Sequence, residues 1–397
     1  MTALTAALAL ATTGCQGSDR AGGNAGKEVI LTFANPNDTP PEQLLRFADE
    51  VAKRSAGTLK IDFKNRWRAG ERESERGTVR DIRDGKVAMG WVGARVLDQV
   101  GVTTFQPLLA PLLVDSQDLQ QKVFGAGIPG DMLAGVEKID LVGVGVLPGP
   151  MRKLLSKRGP LTTPAALAGL SVGIQDSRVA EQTFATLGAT TVHEQSGAKI
   201  ADVDGYEQQL SSIWGNHYEE QGARSVVGNL NLWPRPLVIL AGKQRWEGLS
   251  ADQHKALRAA GKESVQPALD ASRTEDTGSV APICHAGIAM PQATAAQLAA
   301  LEQKLAPVYD AISAADSKNK GWLERIRQLR TQVDAGPDTA RCTGILPDQG
   351  TEGALPDGTY EMTLTPHDIS TGCPAGRPGS EYLKPLLNYP KTLQQTV

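Results

Sequence analysis

The sequence predicts an α/β protein, because short apolar runs alternate with amphipathic helical runs in two successive parts of the chain. The first alternation covers residues 29–92 and the second covers residues 141–241. Strand and helix signals follow one another in the order that favours parallel, doubly wound sheets. Long helical segments come next, so we expect two α/β halves followed by helices.

The first half begins with a β-rich run, VILTFA, at residues 29–34. Two prolines then precede a predicted helix at 42–55, which places Phe47 and Val51 on one face and ends before Gly57. The other elements predicted here are strands at 58–63 and 87–92 and a helix at 71–84.

The second half shows the same signals. Apolar runs at 141–146 and 237–241 predict buried strands. Ser250 is a good N-cap, and the apolar spacing behind it predicts one helix through residue 272. The remaining predicted elements are helices at 164–168, 178–187, 200–210 and 295–314, a strand at 170–174, and a strand at 359–364 within a Gly- and Pro-rich extension.

Composition excludes some classes of function. The chain has 397 residues, enough for two domains, and its formal net charge is −3. Because the chain has no surplus of basic residues and only 5% aromatic residues, nucleic acid is not an expected partner. It contains no Walker sequence, dinucleotide glycine fingerprint or CxxC pair, so we expect no cofactor and no metal.

The N-terminal segment predicts export. Residues 1–14 are uncharged and hold an apolar run that is too short to span a bilayer, which is typical of a signal peptide. Cys15 follows small residues, as at a lipid-attachment site, although no Lys or Arg precedes the run and Thr12 replaces the usual Leu. We therefore expect a lipid-anchored protein at the cell surface or in the periplasm, with a flexible tether at 15–27.

Export permits disulfide bonds, and three cysteines follow Cys15. We favour a bond between Cys284 and Cys342, which would close a loop across a helical segment. A bond between Cys342 and Cys373 is the alternative.

Residues 169–173 spell G-x-S-x-G, the pattern of a serine nucleophile on a strand-to-helix turn. Here the order is reversed, because a predicted helix precedes Ser171 and a predicted strand contains it. Asp204 and His217 lie downstream, as a catalytic triad requires, but a chain of this length commonly supplies such residues. A serine hydrolase is therefore the less favoured interpretation.

Several segments, taken together, resemble the solute receptors of tripartite ATP-independent periplasmic (TRAP) transporters. The resemblance runs from about residue 29 to about residue 333 and rests on the order and spacing of its parts. These parts are FADEVAKRSAG at 47–57, DGKVA at 84–88, VGVTTF at 100–105, LLAP at 108–111, SKRGPLTTPAALAGLSVGI at 156–174 and ADVDG at 201–205.

The resemblance implies a periplasmic-binding-protein-like clamp with mainly parallel sheets, crossover strands and a long bridging helix. Such a clamp traps a small organic acid between two lobes and passes it to membrane subunits, without chemistry. Lobe 1 is expected at 28–148 and about 236–275, lobe 2 at 149–235 and about 276–335, and an extension at 336–397. A binding protein of another transporter, or a sensor, is the alternative.

The resemblance also indicates where a carboxylate would bind, and an Arg fork suits its two oxygens. The family's main carboxylate-binding Arg falls on Gly173 in this sequence, so either another cation holds the acid or the ligand is not a simple monocarboxylate. Arg152 matches a second Arg of the family and is our first candidate, ahead of Lys153 and Arg178.

The other candidate ligand residues are polar or aromatic and lie near predicted element ends. They are Asn35, Asn37, Trp91, Glu207, Gln208, Trp214 and Asn216. Glu207 and Gln208 occupy positions where the family lines its cleft with an acid and an amide. Turn or core roles explain the asparagines and Trp91 equally well, and Trp67 and Arg68 are expected at the surface.

Overall fold

The computed structural model describes residues 28–71, 73–193, 202–333 and 336–342, together with strands at Thr359–Thr363 and Thr392–Thr396. The chain divides into two compact units, Met1–Thr343 and Gly344–Val397. The predicted signal peptide, Cys15 and the tether lie outside the described residues, as does Cys373. None of the described helices is long and apolar enough to cross a membrane.

The first unit contains eleven strands among its described residues. They are β1 (Val29–Ala34), β2 (Leu59–Lys64), β3 (Met89–Gly93), β4 (Leu141–Leu147), β5 (Met151–Ser156), β6 (Ser171–Ile174), β7 (Thr190–His193), β8 (Gly205–Gln209), β9 (Ser225–Val226), β10 (Trp233–Pro234) and β11 (Leu237–Gly242).

The α-helices of that unit, over the same described ranges, are α1 (Glu42–Arg54), α2 (Ser74–Arg83), α3 (Gln117–Gly125), α4 (Ile128–Met132), α5 (Pro164–Leu167), α6 (Arg178–Thr186), α7 (Leu210–Gly215), α8 (Lys243–Glu247), α9 (Ala251–Glu263), α10 (Val265–His285), α11 (Ala295–Lys304), α12 (Ala306–Ala315) and α13 (Asn319–Arg330). Three 3₁₀ helices lie at Ala94–Val100, Gln106–Leu109 and Leu133–Ile139.

The strands form two sheets. The first has the order β2-β1-β3-β11-β4, and the second has the order β10-β5-β8-β6-β7 with β9 beside β5. The parallel pairing expected of the first three strands is confirmed, since β1 runs parallel to β2 and to β3. Each sheet as a whole is mixed rather than mainly parallel, because β11 and β5 run antiparallel to their neighbours.

The chain crosses between the sheets twice. It leaves the first sheet after β4 and returns to it through the segment between β10 and β11. The two crossovers touch, because the Arg235 amide donates to the Pro150 carbonyl at 3.0 Å. Gly149 permits this approach, since a Cβ at that position would lie 2.0 Å from the Arg235 carbonyl oxygen. The two crossovers therefore lie against each other between the two sheets.

Three predicted helices differ from the structure. Ser250 does cap a helix, with Gln253 completing a capping box, but that helix ends at Glu263 and α10 follows it. Pro267 in the first turn of α10 has no amide to continue the earlier helix. The predicted helix at 295–314 is likewise two helices, α11 and α12, because Pro307 lies at the start of the second.

The predicted helix at 200–210 is wrong over its second part. Residues 205–209 form β8, an inner strand of the second sheet, and all five are buried. The run GYEQQ does not show the apolar alternation of a strand. Its polar side chains can nevertheless be buried, because Glu207 and Gln208 are paired with Arg152 inside the protein. Residues 194–201 lie outside the described part of the chain.

The C-terminal end of the first unit is attached to its body. The predicted Cys284–Cys342 disulfide is confirmed, with Cα atoms 5.7 Å apart. Residues 336–342 pair with the body as well, since the amides of Asp338 and Ala340 donate to the carbonyls of Asp115 and Gly228 at 3.1 Å. In the second unit, β12 (Thr359–Thr363) confirms the predicted strand and pairs antiparallel with β13 (Thr392–Thr396).

Candidate functional site

Three arginines converge at the crossovers. Arg152 is the second residue of β5, Arg235 lies between β10 and β11, and Arg95 belongs to the 3₁₀ helix after β3. Arg95 and Arg152 are close enough to Arg235 for their charges to lower its pKa. We call these three residues the arginine cluster. Its members come from the second sheet, from the helix that follows β3 of the first sheet and from a crossover, which makes the cluster the candidate site.

Arg152 is fully buried and paired with Glu207. Its Nη2 donates to Glu207 Oε2 and to the Glu207 carbonyl, each at 2.8 Å, and its Nε donates to Glu207 Oε1. Its Nη1 donates to Gln208 Oε1 at 2.7 Å, and Trp233 Nε1 donates to Glu207 at 3.1 Å. The structure thus brings the predicted residues Arg152, Glu207 and Gln208 together, but the pair Arg152–Glu207 carries no net charge.

Arg95 is paired in a similar way with Glu75 of α2. Its Nη2 lies 2.5 Å from Glu75 Oε2, and its Nε donates to Gln175 at 2.8 Å. Burial alone would raise the pKa of Glu75. The charge and the hydrogen bond of Arg95, together with a hydrogen bond from the Gly93 amide, outweigh burial and hold this pKa below its usual range. Glu75 therefore stays ionised and compensates Arg95.

Arg235 has no such partner. Among the described residues its guanidinium donates no hydrogen bond and lies within 4.0 Å of no carboxylate, and its Nε is buried. The guanidinium lies over the Trp91 ring, 5.7 Å from the ring centroid. Burial, followed by the like charges of Arg95 and Arg152, lowers the pKa of Arg235 to about 10. The cluster thus holds one positive charge that its paired glutamates do not neutralise.

The predicted residues of the first sheet form a supporting network beside this charge. Trp91 is buried, and its Nε1 donates to Asn35 Oδ1 at 3.3 Å. Asn35 is also buried, and its Nδ2 donates to the Asn37 carbonyl and to Asn65 Oδ1. Asn35 therefore fixes the Trp91 ring, while Asn37 is exposed and contributes its backbone.

The other predicted residues lie apart from the arginine cluster. Trp214 is exposed beside His217, and Asn216 donates to the Tyr218 hydroxyl at 3.3 Å. In the described ranges neither Trp214 nor Asn216 bonds to the cluster. Trp67 and Arg68 both donate to Asp81 of α2, in keeping with a structural role.

Gly173 and Tyr206 explain the absence of a cation from β6. A Cβ at Gly173 would lie 2.2 Å from the Tyr206 ring, so this ring occupies the space that a side chain at 173 would need. Tyr206 is buried and stacks edge-on against Tyr218 at 5.7 Å. A cationic side chain at position 173 would therefore require the Tyr206 ring to move.

The weaker cation candidates have other surroundings. Lys153 is buried and donates to the Gly228 carbonyl at 2.7 Å and to Asn231 at 2.5 Å. It lines a cavity of about 280 Å³ with Asp276 of α10, and burial lowers the pKa of Lys153 and raises that of Asp276. Arg178 has an exposed side chain at the start of α6.

Ser171 lies in a setting unlike a nucleophile elbow. Its hydroxyl donates directly to Asp204 Oδ2 at 3.0 Å and accepts from the Asp204 amide at 3.1 Å. α5 precedes it and β6 begins with it, so the strand-to-helix turn of that motif is not formed. The serine and the aspartate instead join β6 to the start of β8.

A second set of contacts joins the two α/β halves. Asp98, from the 3₁₀ helix of the first half, accepts from the amides of Arg178 and Val179 at the start of α6 at 2.9 and 3.2 Å. Gln99 donates to Glu181 of the same helix at 2.9 Å. An acid at a helix N-terminus is stabilised by the free amides and the helix dipole. These contacts hold the halves together in this conformation.

Asp98 should also make the stability depend on pH. Burial raises its pKa to about 6, against the bonds from Arg178 and Val179 that lower it. Folding therefore favours the protonated form of Asp98. The stability that this protonation contributes is complete below the unfolded pKa of about 3.9, and it is lost as the pH rises through the folded pKa of about 6. We expect the free energy of unfolding of the wild type, relative to Asp98→Asn, to increase by about 1 kcal/mol from pH 7 to pH 5.

Urea unfolding of both proteins at the two pH values measures this difference. The exposed Asp49→Asn serves as the matched control and should show no such change. An equal difference between wild type and Asp98→Asn at both pH values would show that Asp98 does not titrate in this range.

Sequence reasoning missed Arg235, Arg95 and Glu75. Arg95 lies in the apolar run at 91–97 and Glu75 in a charged run, neither was singled out as a ligand residue, and only the fold brings them together. Arg235 lies between Pro234 and Pro236 in the segment that crosses between the sheets. An arginine at such a point was a usable signal, because crossovers line the space between the halves.

Comparison with known proteins agrees with this architecture. Residues 31–316 match the family model described as bacterial extracellular solute-binding protein, family 7. The chain is 27% identical over 217 residues to the C4-dicarboxylate-binding periplasmic protein DctP of Rhodobacter capsulatus, covering 53% of this chain. The match spans 64% of that relative's length, which is less than two thirds.

Solved structures share the fold. The sugar acid binding protein DctPAm of Advenella mimigardefordensis, in complex with galactonate, has a TM-score of 0.67 at 19% identity and covers 77% of this chain and 99% of its own. A TRAP periplasmic solute binding protein of Bradyrhizobium, in complex with galacturonate, has a TM-score of 0.67 at 21% identity and covers 76% of this chain and 100% of its own. The resemblance to TRAP solute receptors is confirmed, and the chain belongs to family 7 of the bacterial extracellular solute-binding proteins.

Proposed function

We propose that this protein is the exported receptor of a TRAP-type transporter and captures a small organic acid between two lobes. The lobes would comprise 28–148 with about 236–275, and 149–235 with about 276–335. Residues 1–14 would be removed as a signal peptide, and lipid on Cys15 would hold the protein at the membrane near the transporter subunits. The role is binding and delivery, without catalysis.

The arginine cluster carries this proposal. It lies where the two crossovers meet, and it holds a positive charge in excess of its paired glutamates. A buried charge is costly unless an opposite charge compensates it, so the site favours an anion. The named relatives are consistent with this class, since their names or complexes specify a dicarboxylate, galactonate and galacturonate.

Capture would proceed by hinge rotation at the crossovers, near residues 147–151 and 233–237. A ligand that touches both halves binds the closed form better and shifts the population towards it. The contacts of Asp98 and Gln99 with α6 would assist closure and would break on opening.

A thermal-shift screen tests the proposal. The full chain is mixed with organic acids, amino acids and neutral sugars, and a ligand at 100 times its Kd should add about 2.7 kcal/mol of stability, a shift of a few degrees. We expect organic acids to raise the melting temperature and neutral sugars to leave it unchanged. Shifts produced only by neutral solutes, or by no compound, would contradict the proposed ligand class.

A further inference from the structure

We propose that Arg235 binds the carboxylate of the ligand, and that the site accepts an acid with a single negative charge. This inference rests on the proposed function and narrows its ligand class. It assigns the principal cation to a crossover segment instead of to β6.

The pairing within the arginine cluster singles out Arg235. Arg152 is bonded to Glu207 through two nitrogens, and Arg95 is bonded to Glu75. Both of these guanidinium groups would have to give up a carboxylate before they could bind another fully. Arg235 gives up no ion pair, because no described carboxylate lies within 4.0 Å of it. Its planar fork is therefore available for two oxygens.

The position of Arg235 also suits a ligand that links the halves. Trp91 of the first sheet supports its guanidinium, and Arg152 of the second sheet lies close enough for their charges to repel. A carboxylate bound to Arg235 would be attracted by Arg95 and Arg152 too. The repulsion among three cations would then become attraction to a common anion, which favours the bound state.

Gly173 and Tyr206 exclude the alternative anchor on β6. The Tyr206 ring lies where a side chain at 173 would begin, and Tyr206 is itself buried. A long cation could not be restored there without displacing that ring. The anchoring cation must come from another element, and the crossover supplies it.

The charges around the cluster limit the ligand to one carboxylate. Glu75 and Glu207 compensate two of the three arginines, and Glu275 of α10 adds a further negative charge felt by Arg235. A second carboxylate on the ligand would find no uncompensated cation in the cluster and would face these acids. Hydroxyl groups would instead find acceptors, such as the buried Gln209 Oε1, which has no donor among the described residues.

Isothermal titration calorimetry of the full chain tests the assignment. The probes are D-galacturonate, D-glucuronate and D-galactonate as monoanions, D-galactose as a neutral sugar and succinate as a dianion. The variants are Arg235→Gln, which removes the charge, and Arg235→Lys, which keeps the charge but loses the fork. Arg46→Gln on the exposed surface of α1 is the matched control.

We expect the wild type to bind at least one monoanion more tightly than succinate. Arg235→Gln should weaken that binding roughly 100-fold, Arg235→Lys should weaken it less, and Arg46→Gln should leave it unchanged. The melting temperature of Arg235→Gln without ligand should equal or exceed that of the wild type, because the variant removes a charge that Arg95 and Arg152 repel and that has no ion pair among the described residues. A purely structural Arg235 would instead lower it.

The outcomes separate this inference from the proposed function. Wild-type binding of a monoanion that Arg235→Gln retains in full would overturn the role of Arg235 and leave the receptor function standing. Tighter binding of succinate than of every monoanion would overturn the single-charge limit. Failure of the wild type to bind any acid would overturn the proposed function, and this inference with it.

Discussion

Arg152→Ala is expected to lower the free energy of unfolding by about 3–5 kcal/mol. The reason is that Glu207, which is 1% exposed, would remain in the second sheet without its cation. Trp233 Nε1 would be the remaining side-chain donor to its carboxylate in the described structure. Chemical denaturation at pH 7 measures the loss directly, without reference to any ligand.

A double variant distinguishes the effect of the lost ion pair from the effect of the lost packing. Arg152→Met combined with Glu207→Leu removes both charges. This double variant should therefore recover most of the unfolding free energy that Arg152→Ala loses. If Arg152→Ala alone costs less than about 1 kcal/mol, the pair is not buried as the structure has it. If the double variant is no better than the single one, packing rather than charge accounts for the effect.

Removing the disulfide is the second large change. The Cys284→Ala and Cys342→Ala double variant should lose about 4 kcal/mol of stability, because the bond closes a loop across a sequence separation of 58. The loss should also free residues 336–342, whose Asp338 carboxylate accepts from the Gln117 amide at 2.6 Å. Hydrogen exchange at the Ala340 amide, which bonds to the Gly228 carbonyl, should therefore increase.

Cys373→Ala provides the control, because Cys342 is bonded to Cys284 and not to Cys373. It should leave both the unfolding free energy and the Ala340 exchange unchanged. Equal stability of the double variant and the wild type under non-reducing conditions would contradict a structural role for the bond.

Much of the fold could be predicted because its elements have a regular apolar period. β1 and β11 match their predicted bounds to within a residue, and α1 ends one residue before the predicted limit. β8 could not be predicted in this way, since its buried side chains include Glu207 and Gln208, whose partner Arg152 lies on a strand distant in sequence. The order of strands within each sheet likewise depends on crossovers that local periodicity does not reveal.

The candidate site was predictable in part, but for a different reason. Arg152, Glu207 and Gln208 were placed together by family resemblance, and the structure joins them by hydrogen bonds. Their mutual pairing could not be foreseen, because it depends on the register that sets Arg152 opposite Gln209. Because Arg152 is paired, Arg235 is the member of the cluster with no ion pair among the described residues, and this becomes visible only when the neighbouring charges have been located.

The most direct test is a crystal structure of the protein with the acid that gives the largest thermal shift. We expect the acid to lie between the two sheets, with its carboxylate oxygens within about 3.2 Å of the Arg235 nitrogens. An acid bound away from the two crossovers would contradict this assignment. So would an acid whose carboxylate binds another cation while Arg235 binds none.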